Sequence, residues 1–234
     1  MTAIDEPIPE VAWLRRPEEV PIRECGDPVV LVRPGDGIHV APAYHHRGIP
    51  SAADEIRIRA RVLDRLREVS ASLPDGIDLV LWDALRTLET QYDLVEHFRS
   101  TLPAGWSERK RQETVERYLA PGPASEEEFR ADPPPHSTGG AVDLTLCDAE
   151  TGAPLSLGAE FDQFDQTSWL RHFEDTEGEV RTLRRTLYRA MLSHGFSPYP
   201  WEYWHYELDT PVHAAYYGLP HARYGAAVQW PGSR

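Results

Sequence analysis

Apolar residues recur at close to helical spacing through residues 53–76, where Ile56, Leu63, Leu66, Val69 and Leu73 share a face before Pro74 and Gly76 stop the pattern. The spacing predicts an amphipathic helix. IDLVLW, residues 77–82, is short, apolar and partly β-branched, which predicts a buried strand, and TLETQYDLVEHFRS after it predicts another helix. Arg86 falls just beyond that strand's end. In AVDLTL, residues 141–146, the pattern alternates: Val142, Leu144 and Leu146 take one face and leave Asp143 and Thr145 on the other. Thr176 and Glu179 have the spacing of a capping box opening a helix through Val180, Leu183, Leu187 and Met191, closed at Gly195. A last strand is expected at about YWHYEL. Residues 100–135 are rich in Pro, Gly and charge and read as a surface excursion, with one short helix after Ser125 whose capping box Glu128 completes.

A chain of 234 residues, 41% of them hydrophobic, can bury one sizeable core. A single domain over residues 1–234 is expected, with residues 1–27 as an extended arm. The formal charge of −14 argues against a nucleic-acid surface, which needs clustered basic side chains to neutralise phosphates. Nearly all the positive charge is Arg, Lys110 being the only lysine, and this reads as compositional bias, not function. The N-terminus lacks a basic start followed by an apolar stretch, and no run approaches the roughly 20 apolar residues that span a bilayer. Cys25 and Cys147 lie far apart and outside any CxxC pattern, so neither a disulfide framework nor a cysteine zinc site follows. A cytoplasmic protein with reduced thiols is expected, with neither nucleic acid nor membrane as a partner.

The chemistry concentrates in two stretches. In PPPHSTGGAVDLTL, residues 133–146, an Asp in an otherwise apolar strand is costly to bury alone and calls for a metal, an Arg or backbone donors. Gly139 and Gly140 permit the sharply turned backbone that brings His136 back beside Asp143. In PWEYWHYEL, residues 200–208, Glu202 and His205 stand among four aromatics. Two His and one carboxylate leave an open position on a tetrahedral zinc, as a catalytic site requires. Residues three apart on a strand point to opposite faces, so Glu202 must sit in the turn before the strand to converge with His205. The spacing alone equally fits an aromatic core strand with a surface Glu and a buried His.

HSTGGAVDLTL followed by EYWH resembles the zinc D-alanyl-D-alanine dipeptidases of the VanX type, whose pattern is roughly His-x-x-Gly-x-Ala-x-Asp, then Glu-x-Trp-His. LWDALRTLETQ is similar to the family's strand, Asp and Arg segment, and LGAEFDQF to its Gly-x-x-Phe-Asp element, so the likeness runs from about residue 28 to 225. The resemblance implies an α+β fold, a compact single domain with a central, mostly antiparallel sheet flanked by helices. It implies a Zn2+ cofactor on His136, Asp143 and His205, with Glu202 as the general base that moves a proton from the attacking water to the leaving amine. It gives Arg86 the developing oxyanion and Asp162 the ammonium of a small dipeptide. The implied reaction is hydrolysis of D-alanyl-D-alanine to two D-alanines, in the turnover of cell-wall peptides.

The chain departs from the family pattern at Pro134, where Ser is frequent, at Thr87, where Pro follows the Arg, and at DQTSW, residues 165–169, which replaces a His-containing segment. None of these removes a ligand or the base. A D,D-carboxypeptidase, or a dipeptidase of other stereochemistry, on the same metal site is the main alternative. A Fe(II) oxygenase ranks lower because its His-x-Asp places two ligands two residues apart, against seven here. A non-catalytic binding module ranks low too, since it would most simply have lost Glu202 or a ligand.

Overall fold

The computed structural model describes residues 6–119 and 122–231. Its centre is a five-stranded sheet in the order β2 (His39–Val40), β4 (Ile77–Asp83), β5 (Ala141–Asp148), β7 (His205–Glu207) and β6 (Ser197–Pro198). The β2–β4 pair is parallel and the others are antiparallel, which is the expected α+β arrangement. A separate antiparallel ribbon joins β1 (Val29–Leu31) to β3 (Arg57–Arg59). Leu79 and Leu81 of β4 lie opposite Leu146 and Leu144 of β5, and this face packs with Val142 into the main core beneath α2 (Ala60–Ser72) and α6 (Glu179–Ser193).

The helix expected over residues 53–76 begins only at Ala60. Before it, Arg57, Ile58 and Arg59 alternate as a strand, with Ile58 fully buried, because pairing with Val29–Leu31 wins over the helical spacing that Ile56 suggests. The second predicted helix is α3 (Leu88–Thr101), capped by Thr87 on the Thr90 amide at 3.2 Å. Residues 100–135 hold more order than a surface excursion: α4 (Glu108–Tyr118) precedes α5 (Glu126–Ala131). The α4 segment has almost no apolar stripe. It docks on α3 through the Arg99–Glu108 ion pair and a 3.0 Å bond from Arg99 to Gln112, contacts that leave no hydrophobic period. At α5, Ser125 accepts from the Glu128 amide as expected, while the Glu128 carboxylate reaches the Ala124 amide instead of closing a box.

The Thr176–Glu179 capping box does not form. Gly178, at φ +145°, is the N-cap of α6, and the Thr176 amide is bonded to Phe173 in the preceding turn. Gly195, at φ +87°, ends that helix as the sequence implies. A further helix, α7 (Pro211–Tyr217), follows the last strand and is capped by Thr210. Buried arginines fasten the loops between these elements. Arg184 donates to the carbonyls of Leu157, Thr167 and Trp169 at 2.6–2.7 Å and lies over the Tyr203 ring. Arg59 donates to the carbonyls of Thr138 and Asp27 and pairs with Glu24. Among the described residues, no helix is long and apolar enough to cross a membrane.

Gly140 opens β5 where the chain turns into the sheet, and a Cβ there would lie 2.6 Å from the Leu208 carbonyl oxygen and 2.8 Å from the Tyr224 ring. The Leu208 carbonyl cannot give way without disturbing the 2.9 Å bond from the Leu208 amide to the Gly140 carbonyl, and the Thr210 methyl closes the space further at 2.7 Å. Gly140→Ala is expected to destabilise the protein by about 1–3 kcal/mol, read as a lower urea midpoint with an unchanged slope.

Candidate functional site

Three neighbouring strands place the polar cluster. In the antiparallel register Asp143 lies opposite His205 on one side and Asp83 on the other, so β4, β5 and β7 bring Asp83, Asp143 and His205 into one row. A bulge between Leu81 and Asp83 is what turns Asp83 to this face, because an unbroken strand would put it with Leu79 and Leu81. The alternation expected in AVDLTL holds, but the face carrying Asp143 and Thr145 is as buried as the apolar one. Asp143 is only 2% exposed.

His136 arrives from the short 3-10 turn Pro135–Thr138, which ends on Gly139 at φ +71°, a left-handed conformation that suits glycine. The Arg86 amide donates to the His136 carbonyl, tying this turn to the end of β4. The ring is oriented by Nδ1, 2.8 Å from the Ala84 carbonyl. A carbonyl only accepts, so Nδ1 carries the proton and Nε2 is a bare donor of electrons. His205 is held the other way round. Its Nε2 lies 3.0 Å from Glu207, which leaves Nδ1 facing Asp143 at 3.0 Å and His136 Nε2 at 3.3 Å.

Two imidazole lone pairs and a carboxylate therefore point at one another, with ligand atoms all within 4.8 Å. Such a set calls for a cation. Burial alone would raise the Asp143 carboxyl, but His136 and His205 overcome it and hold Asp143 well below the usual range. Burial likewise works against a charged His205, and the bonds from Asp143 and Glu207 override it, raising His205 well above its ordinary value. The donor set fits Zn2+, which takes His nitrogen and carboxylate oxygen together.

Glu207 was not anticipated from the sequence. It is 1% exposed and also accepts a bond from Thr210. The signal was available, since residues two apart on a strand share a face and His205 must orient its second nitrogen on something. Glu202 does lie in the turn that leads into β7, its carbonyl accepting from the His205 amide. Burial pushes its carboxyl up to about 7. It lines a cleft of about 580 Å3 with Trp169, Tyr199, Trp201, Trp204 and residues of the DQTSW segment.

Arg86 is fixed on several sides. Asp83 accepts at 2.7 and 2.9 Å, Gln91 at 2.8 Å and the Tyr44 hydroxyl at 3.2 Å, and Asp143 lies 3.6 Å away. Asp162 stands on the far side of Tyr44, whose hydroxyl donates to its Oδ1 at 3.3 Å. Its Oδ2 is held by Arg47 at 2.5 Å, so both carboxylate oxygens have partners within the chain. All six residues singled out in the sequence thus lie around one centre, although Asp162 is reached through Tyr44 and is already paired.

The chain is similar to several known proteins. A D-alanyl-D-alanine dipeptidase from Synechocystis sp. is 25% identical over 229 residues, covering 86% of this chain and 90% of its own. One from Enterococcus faecalis is 28% identical over 191 residues, covering 80% and 84%. A solved structure of VanYB in complex with D-alanine-D-alanine is similar with a TM-score of 0.42 at 18% identity, over 71% of this chain and 80% of that one. The model of the M15 peptidase family, described as D-ala-D-ala dipeptidase, matches residues 50–222 and so takes in the ribbon strand β3, the bulged β4, the His136 turn and the Glu202–His205 turn alike. That span is most of the fold and the whole of the polar cluster, and the chain belongs to this family of zinc peptidases.

Proposed function

We propose that this peptidase hydrolyses D-alanyl-D-alanine to two D-alanines in a zinc-dependent reaction, as part of cell-wall peptide turnover. The reading rests on the convergence of His136, Asp143 and His205 beside the Glu202 cleft, in a chain of the dipeptidase family. Zn2+ on His136, Asp143 and His205 supplies, when bound, a Lewis acid and a water of lowered pKa. Glu202 takes a proton from the attacking water and delivers it to the leaving amine nitrogen, work suited to a carboxyl whose burial brings it near 7. Arg86, locked by Asp83, Gln91 and Tyr44, faces the oxygen on which negative charge develops, and needs no reorganisation to do so. Asp162 stands at the amino end of the dipeptide. Both cysteines are free thiols, and the reducing cytoplasm is the setting that goes with them.

Incubation of the zinc-loaded protein with D-alanyl-D-alanine and with L-alanyl-L-alanine, followed by amino-acid analysis, tests the substrate. Release of D-alanine alone is expected; cleavage of the L,L-dipeptide alone would overturn the stereochemistry and keep the site. Elemental analysis is expected to find about one zinc per chain in the wild type and little in His136→Ala or His205→Ala, because two protein ligands hold zinc poorly where three hold it well. Glu202→Ala is expected to keep its zinc while turnover falls roughly a hundredfold or more, the scale of a lost general base. Glu207→Ala leaves His205 free to turn, and zinc affinity should fall about 10–100-fold in a chelator competition. Unchanged affinity would mean that the backbone alone orients His205.

A further inference from the structure

The strand that carries His205 leaves the sheet through a strained turn. Asp209 takes φ +60°, a left-handed conformation uncommon for a residue with a side chain, and its carbonyl accepts from the amides of Arg223 and Tyr224 at 2.8 and 3.0 Å. That turn brings Thr210 back to Glu207. Thr210 is fully buried, its methyl lies beside Gly140, and its hydroxyl oxygen accepts from the His213 amide at 3.1 Å as the cap of α7. The same hydroxyl is bonded to Glu207 Oε2, while Glu207 Oε1 faces His205 Nε2 at 3.0 Å.

The donor and acceptor chemistry fixes the direction of each bond in this line. An amide only donates and a carboxylate only accepts, so the one hydroxyl proton of Thr210 lies on Glu207. Glu207 then has one oxygen filled by Thr210 and the other turned to His205 Nε2, which leaves His205 Nδ1 to the cluster with Asp143 and His136. Without the hydroxyl, Oε2 would be buried with its donor lost, and a side chain in that state turns to find another. Thr210 itself is a fixed point. Its β-branched side chain is stiff about χ1, and α7 is anchored by a small core of Val20, Ala214, Ala215 and Ala222, with Trp13 and Ile22 packed against it.

We infer that Thr210 is a positioning residue for the metal centre: its hydroxyl locks Glu207, and Glu207 sets the tautomer and plane of His205, so that the start of α7 is joined to a zinc ligand through side chains alone. The inference rests on the proposed function, in which His205 holds zinc, and adds to it a residue that touches neither metal nor substrate.

The test measures zinc affinity by chelator competition in the wild type, Thr210→Val, Thr210→Ser, Glu207→Ala and the double variant of Glu207→Ala with Thr210→Val. Valine keeps the shape of the side chain and removes the hydroxyl. Thr210→Val should weaken zinc about tenfold, the scale of a lost outer-shell partner, and Thr210→Ser, which restores the hydroxyl, by less than about threefold. On the Glu207→Ala background Thr210→Val should change the affinity by less than about twofold, because a residue acting through Glu207 has nothing left to act on. Loss of the α7 cap lowers the urea midpoint of the metal-free protein on either background, so a purely structural role would weaken zinc with and without Glu207. Thr210→Ala gives the same comparison should Thr210→Val fail to fold. An equal loss on both backgrounds, or a Thr210→Val affinity within about threefold of wild type, overturns the role of Thr210. A wild type that binds no zinc overturns the proposed function, and this inference with it.

Discussion

The site depends on one register. Asp83, Asp143 and His205 are lateral neighbours on three strands, and the side-chain period of a strand is two, so a slip of one residue anywhere in β5 would exchange Asp143 for Val142 or Leu144. Two features pin the alignment. The apolar face, with Leu79, Leu81, Val142, Leu144 and Leu146, is buried beneath helices and cannot be turned outward. The bulge at the end of β4 then adds the residue that brings Asp83 to the polar face after a run that faces the core. The same step sets the start of the loop that carries Arg86, and Arg86 is fixed chiefly by Asp83. The row of Asp83, Asp143 and His205 and the Arg86 guanidinium are thus aligned by one hydrophobic pattern, although none of them contributes to it.

This explains what the sequence discloses and what it withholds. The apolar runs of β4 and β5, the Gly-Gly turn after His136 and the turn position of Glu202 follow from periodicity and backbone freedom, which are local. The convergence of His136, Asp143 and His205 is not local, and the spacing of residues 136, 143, 202 and 205 leaves it open; the family resemblance closes that gap. Other features failed to show for stated reasons. The helix α4 is held by polar contacts and has no apolar period to read. The start of α2 was hidden because Arg57–Arg59 pairs with a strand nearly 30 residues earlier in the chain. Glu207 looks like an ordinary strand-end acid until His205 is known to need a partner, and Arg47 lies in the turn after the short helix α1 (Ala43–His46), 115 residues from the acid it neutralises.

Departures from the family pattern acquire local explanations. Thr87, which stands where the resembled pattern has Pro after the Arg, caps α3, so the turn after Arg86 is stabilised by a side-chain bond. The DQTSW segment caps its own short turn through Asp165, and its Thr167 and Trp169 carbonyls accept from Arg184. Both segments border the centre without supplying any of His136, Asp143 and His205. Variation there reshapes the walls while the row of strands stays fixed, and this is where a change of substrate range is least costly to the fold.

The arginine-rich composition, which by itself reads as bias, has a structural use. Arg59, Arg86 and Arg184 are all buried, and each spreads its guanidinium over partners from separate segments of the chain. Arg59 joins the segment before β1, the His136 turn and the Gly225 region. Arg86 joins α1, β4 and α3. Arg184 joins the loop bearing Asp162 to the turn bearing Glu202, through three carbonyls and the Tyr203 ring, and burial lowers its pKa only to about 10, so it remains charged. A lysine ammonium concentrates its charge at one point and could not reach three divergent acceptors from one buried position. Asp143 and His205 come from a sheet, but His136 and the groups around them come from turns and loops, and a planar fork with fixed angles between its donors is what lets segments of such different origin meet.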